Sequence, residues 1–309
     1  HGRLSLQGVV PACQTLDCLS VFSLTVADGA RVSRVLAATA EGPDDLRTPV
    51  QAAYPKFAFP RPLRVGVPAQ PVFTDAAYRA QFEQVLASLR ADDSITLVDI
   101  DMTLLDEVAQ ALYRGPWVAE RYVTAGACIE ADAPGLDPTV KGIIAPGKAF
   151  SAQAAFEARY QVNANARQVA HLWQTMDVFL VPTAPGLPRY DAVQADPVGA
   201  NSALGQYTNF VNLLGWSALS TPAGFTPDGL PFGVTWIAPA GCDEALLHWG
   251  EQWLQARDLP LGRDLRPAAG VSPSPLPAPR GAHQIAVVGA HLSGMPLNGQ
   301  LQAAGARLA

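Results

Sequence analysis

Three residue types that often serve as nucleophile, base or metal ligand are scarce in this 309-residue sequence, which has five histidines, four cysteines and three lysines. A Ser-His-Asp or Cys-His hydrolase needs a histidine held beside its nucleophile. Setting aside His1 at the start of the chain, the candidates are His171, His248, His283 and His291. His171 falls inside a long helical pattern and His248 inside a later one, where a structural role suits the residue better. No Gly-x-Ser-x-Gly elbow occurs. Cys13, Cys18, Cys128, Cys242 and the histidines lack the short paired spacings of a zinc site, so no protein-bound metal is expected. The stretch Gly289 to Gly294 is only loosely like a phosphate-binding glycine turn, because its Gly-x-x-x-Gly spacing is too common to be diagnostic.

One constellation stands above this background. Between Leu112 and Tyr122, helix-forming residues flank Gly115-Pro116, so the chain should turn after Tyr113 and begin a new helix near Trp117. Tyr113 and Arg121 could then face one cleft from the two sides of the break. A guanidinium offers two parallel donors that match a carboxylate, and such a charge-assisted bond contributes about 1.5 to 3 kcal/mol. The same spacing also suits a surface pair of Arg121 with Glu120 or an aspartate, which would stabilise by only about 0 to 1 kcal/mol.

The elements that must carry these residues alternate between strand-like and helical patterns, which points to an α/β fold. Thr25 and Asp28 form a capping pair ahead of a helix with Ala27, Ala30, Val35 and Leu36 on its apolar face. Leu63 to Pro68 and Ile95 to Ile100 read as strands. Between them, Asp75 to Leu89 places Tyr78, Phe82, Val85, Leu86 and Leu89 on one helical stripe, and this strand-helix-strand order implies a parallel crossover. Phe150 to Met176 reads as one long helix leading into the strand Val178 to Val181. Thr183 to Gly186 and Thr221 to Gly224 read as proline-glycine turns whose backbone donors could face a ligand, although ordinary turns fit as well. Asp228 to Ile237 is a turn and a buried strand, and Glu244 to Arg257 a closing amphipathic helix.

The net charge of −6 gives no basic footprint for nucleic acid, and no apolar run approaches the roughly 18 residues that cross a bilayer. Irregularly spaced cysteines in a chain of this size predict reduced thiols in a cytoplasm. The chain opens on His1 and reads as mid-domain sequence from Gly2. Residues 267 to 283, punctuated by Pro267, Pro273, Pro275, Pro277 and Pro279, read as a linker, and Ile285 to Gly289 as the first strand of something larger. The expectation is a piece of a longer polypeptide.

Four stretches, Gly8 to Cys18, Leu112 to Tyr122, Asn209 to Leu214 and Pro222 to Val234, resemble the allophanate hydrolases of the amidase signature family, and the likeness covers nearly the whole chain. Val287 to Asn298 is similar to the start of their separate C-terminal domain. The resemblance implies a mixed-sheet α/β core flanked by helices. Residues 1–266 would be the distal part of the amidase domain, 267–283 a Pro-rich linker, and 284–309 the truncated beginning of the second domain. It also implies hydrolysis of allophanate, urea-1-carboxylate, to ammonia and carbon dioxide during urea breakdown, without a cofactor. In that family a lysine draws a proton through a cis-peptide serine so that a second serine attacks the carbonyl. All three lie in segments preceding Gly2, and Lys56, Lys141 and Lys148 sit in no Gly/Ser-rich context, so no catalytic residue is assigned here and the isolated chain is expected to be inactive. Tyr113 and Arg121 match the residues that hold the substrate carboxylate. The resemblance further implies a homodimer for the complete protein. Two alternatives stay open: a catalytically silent binding or scaffold module, and an amidase or amidotransferase subunit with another substrate.

Overall fold

In the computed structural model, residues 2–37, 56–257, 259–262 and 298–303 are described. In chain order the elements are α1 (Val26–Ala37), β1 (Leu63–Pro68), α2 (Ala76–Arg90), β2 (Ile95–Ile100), α3 (Thr103–Arg114), α4 (Trp117–Glu130) and α5 (Pro138–Ile144). A short 3-10 turn at Ala145–Ala149 precedes α6 (Ala152–Val169), α7 (Leu172–Thr175) and β3 (Val178–Pro182). Then come α8 (Tyr190–Ala195), α9 (Pro197–Leu204), α10 (Asn209–Leu213), β4 (Ser217–Phe225), β5 (Pro231–Ala238), α11 (Asp243–Gln255) and α12 (Asn298–Ala303). The Pro-rich stretch 267–283 and the strand expected at Ile285 to Gly289 lie outside the described residues.

The strands form one mixed sheet in the order β2-β1-β3-β5-β4. β1 runs parallel to β2, as the crossover through α2 requires, and parallel to β3 on its other side, while β5 is antiparallel to β3 and β4. Strand alternation sorts the apolar side chains onto two faces. On β3, Val178 and Leu180 face one cluster with Trp236, Phe82 and Leu246, and Phe179 and Val181 face the other with Leu105, Phe210 and Ile237. Helices α2 and α11 therefore cover one face and α3 and α10 the other. The Asp75 carboxylate caps α2 by accepting from the Ala77 N–H at 2.7 Å. All five residues of the expected stripe on that helix are buried. Gly66, at the β1–β3 contact, has no room for a side chain, since a Cβ would lie 2.2 Å from the Met176 sulfur.

Three expectations need correction. The helix expected from Phe150 to Met176 breaks into α6 and α7 at Ala170-His171. That bend lets Val169 and Met176 reach the same core cluster and sets Trp173 edge-on to Trp216 at 4.8 Å. The stretch Thr221 to Gly224 is no turn: it belongs to β4 and carries a bulge between Pro222 and Gly224. The Thr25–Asp28 cap forms, with the Asp28 N–H donating to Thr25 Oγ1 at 3.1 Å and the Thr25 hydroxyl to Asp28 at 2.8 Å. Helix α1, however, buries only Gly29 and Ala30, leaving Ala27 and Val35 exposed, because it docks through its small residues. Among the described residues no helix is long and apolar enough to cross a membrane.

Candidate functional site

Residue 115 creates the helix break that the sequence signals. A Cβ there would sit 2.5 Å from the Ala111 carbonyl oxygen, so glycine lets α3 end with the Gly115 N–H donating to that oxygen at 3.0 Å. Pro116 then stands at the N-cap of α4 with φ −71°, and Trp117 and Arg121 lie one turn apart on the same face. Tyr113 occupies the next-to-last position of α3. Arg121 is half-buried and its Nε is buried, so the guanidinium does not stand in open water.

Against this break packs the turn 12–17. Asp17 closes it by accepting the N–H groups of Ala12 at 2.9 Å and Cys13 at 3.1 Å. Glu120 grips it from α4: its carboxylate accepts the Thr15 N–H at 2.6 Å, the Thr15 hydroxyl at 2.7 Å and the Cys13 thiol at 3.2 Å. The amide of Asn212 in α10 holds the other side, donating to the Leu16 carbonyl at 2.8 Å. Cys13, Leu16, Trp117, Leu112 and Leu213 share one apolar cluster. Three of the four stretches that carry the sequence resemblance thus meet at one place, joined through residues whose individual roles the sequence did not disclose: Cys13, Thr15, Glu120 and Asn212. No periodicity or motif marks these four, because each acts through a partner about 100 or more residues away.

Electrostatics fit a closed, non-reactive turn. Burial pushes the Cys13 thiol up, the Glu120 hydrogen bond and charge push it further, and the nearby Arg121 charge only partly opposes them. Cys13 therefore remains a neutral thiol donor and not a nucleophile.

Lys141 and Lys148 are not poised as bases. Lys148 pairs with Glu130, whose carboxylate also accepts from the Tyr122 hydroxyl at 2.8 Å, and the hydrogen bond to Glu130 holds the ammonium above its ordinary value, the wrong direction for a general base. Lys141 pairs with Asp132 on the surface. His171 is exposed, with Nδ1 against the Gln168 carbonyl, and His248 is exposed, with Nε2 2.9 Å from the Gln252 amide. His283 and His291, with the glycine stretch around the latter, lie outside the described residues.

A cavity of about 450 Å³ runs along β4 under residues 18–26, with Cys18, Ser23, Asn212, Trp216, Ser220 and Asp243 in its wall. Arg121 does not line it; Asn212 is the residue shared between that wall and the turn. Of the two stretches read as ligand-facing turns, Thr221 and Pro222 do line this cavity, but from a strand. Thr183 to Gly186 packs inward instead: the Thr183 N–H donates to the Gly233 carbonyl, the Pro185 carbonyl accepts from the Thr74 N–H, and Pro185 and Gly186 are buried.

A profile of the amidase family matches residues 1–247. The chain is similar to the urea amidolyase of Saccharomyces cerevisiae, 35% identical over 97% of this chain and 17% of that protein. It is also similar to the allophanate hydrolase of Kluyveromyces lactis, with a TM-score of 0.81 at 34% identity over 98% of this chain and 51% of that structure. A glutamyl-tRNA(Gln) amidotransferase component from Synechococcus is 30% identical over 86% of this chain and 60% of its own length. The chain thus spans about half, or less, of the first two.

Proposed function

The chain belongs to the amidase family, and from that premise we propose that it supplies the carboxylate-binding side of an enzyme that hydrolyses allophanate to ammonia and carbon dioxide. The observation that carries this reading is the extent of the likeness. The amidase profile stops at residue 247, whereas the similarity to urea amidolyase and allophanate hydrolase continues over 97 to 98% of the chain. The similarity to the amidotransferase component covers 86% at lower identity.

In this reading Arg121 pairs with the substrate carboxylate, and Tyr113 serves the same anion from the other side of the Gly115-Pro116 break. The half-buried setting of Arg121 supports that role, because a partly desolvated guanidinium gains more from an anion than one in bulk water. The Lys-Ser-Ser set implied by the resemblance belongs to a segment outside these 309 residues. Residues 1–266 are then the distal amidase part, 267–283 a linker and 284–309 the start of a further domain, in a homodimeric cytoplasmic protein.

The test is a comparison of two near-isosteres. Biuret replaces the carboxylate of allophanate with a neutral amide, so a site built around a half-buried cation should reject it. The polypeptide that contains this chain should show kcat/KM for allophanate at least about a hundredfold above that for biuret. Comparable values for the two would refute the assignment.

A further inference from the structure

Resting on the reading of Arg121 as the carboxylate-binding residue, we propose that Glu120 is a positioning residue for that site, locking the turn 12–17 onto α4 so that the turn forms a fixed wall beside Arg121. Three donors from one turn converge on this carboxylate, the Thr15 N–H, the Thr15 hydroxyl and the Cys13 thiol. All three are neutral, so the negative charge of Glu120 is spent on fixing a chain segment. The turn arrives preformed, closed by Asp17, and is gripped a second time by Asn212 through Leu16. Thr15 is exposed, so no core packing holds that part of the turn in place of the hydrogen bonds.

Position gives this lock its functional weight. Glu120 and Arg121 are consecutive on α4, and the charge of Arg121 is felt at the Cys13 thiol on the same turn. A wall that loosens by about 1 Å next to an anion subsite weakens the grip on the anion. A Glu120 carboxylate stripped of its donors would also be available to the neighbouring guanidinium and would compete with the substrate for it. Both effects act on binding of the anion and leave the bond-breaking step alone.

Glu120→Gln and Thr15→Val, made in the polypeptide that turns over allophanate, test the lock separately. Glu120→Gln is expected to raise KM for allophanate about five- to tenfold, less than loss of a direct charge-assisted contact to the anion because Glu120 acts through the turn, with kcat within about twofold and kcat/KM for biuret unchanged. Thr15→Val should move KM the same way by a smaller factor, and Glu120→Asp should recover part of the loss. Labelling of Cys13 by iodoacetamide should accelerate in Glu120→Gln. An equal fall in kcat on both substrates would reduce Glu120 to a structural prop and overturn the proposal, as would an unchanged KM with Cys13 labelling faster. Should Glu120→Gln fail to fold, Thr15→Val decides alone. Arg121→Ala is the control: if it raises KM and Glu120→Gln does not, only the positioning role falls, whereas if Arg121→Ala itself leaves KM unchanged, the substrate reading falls and takes this proposal with it.

Discussion

Asp177 accepts from one edge of the Arg64 guanidinium, Nη2 donating at 2.7 Å and Nε at 3.1 Å, and also accepts the Arg64 backbone N–H at 3.0 Å. The pair ties the start of β1 to the residue just before β3, where the two strands share only a short parallel ladder. Burial works against the ionised carboxyl, but the Arg64 hydrogen bonds outweigh it and hold Asp177 below the ordinary carboxylate value of 3.8.

A pH-dependent contribution to stability follows. Because the folded-state value lies below the unfolded one, the contribution is complete above pH 3.8 and drains away as pH falls through that region. Asp177→Asn should cost about 1 to 2 kcal/mol at neutral pH, discounted for the partly exposed guanidinium, and should flatten the acid limb of stability below that pH. Urea unfolding at neutral pH and near pH 3 measures both. An unchanged acid limb would show that other carboxylates dominate acid unfolding.

Gly115→Ala is expected to destabilise by about 1 to 3 kcal/mol, since the new methyl meets the rigid Ala111 carbonyl and the two helices must part. The same displacement shifts α4 relative to α3, so in the polypeptide proposed to turn over allophanate KM should rise even in the fraction that remains folded. Unfolding curves and KM together check this. A stable variant with unaltered KM would mean that the geometry of the break does not set the site.

Thr221→Val probes the core under the cavity wall. The Trp236 indole N–H donates to Thr221 Oγ1 at 3.1 Å, and both residues are buried. Valine keeps the shape but removes the acceptor, leaving a buried donor unsatisfied at a cost of about 1 to 3 kcal/mol. Denaturant unfolding followed by tryptophan fluorescence should show the loss, and a change below about 0.5 kcal/mol would mean that the indole finds another acceptor.

Legibility in the sequence tracked how local each signal was. The stripe of α2, the paired strands β1 and β2 and the Gly115-Pro116 break were readable because periodicity and breaker residues act within a few positions. The split between α6 and α7 was not, since it is imposed by where Val169 and Met176 must pack and no proline or glycine marks it. Thr221 to Gly224 misled for a related reason: the proline and glycine that usually punctuate a turn here sit at a bulge on β4, the last strand of the sheet. For the site, Tyr113 and Arg121 stood out by residue type beside a break. The clamp built by Glu120 on Thr15 and Cys13 joins residues more than 100 positions apart, and only the folded chain brings them together.

The most direct measurement is steady-state kinetics of Arg121→Ala, made in the polypeptide that turns over allophanate, on allophanate and on a neutral amide. Loss of a charge-assisted bidentate contact of about 1.5 to 3 kcal/mol corresponds to a KM for allophanate raised by roughly ten- to a hundredfold, with turnover of the neutral amide changed far less. Equal impairment on both substrates, or an unchanged KM for allophanate, would contradict the assignment of Arg121 to the substrate carboxylate.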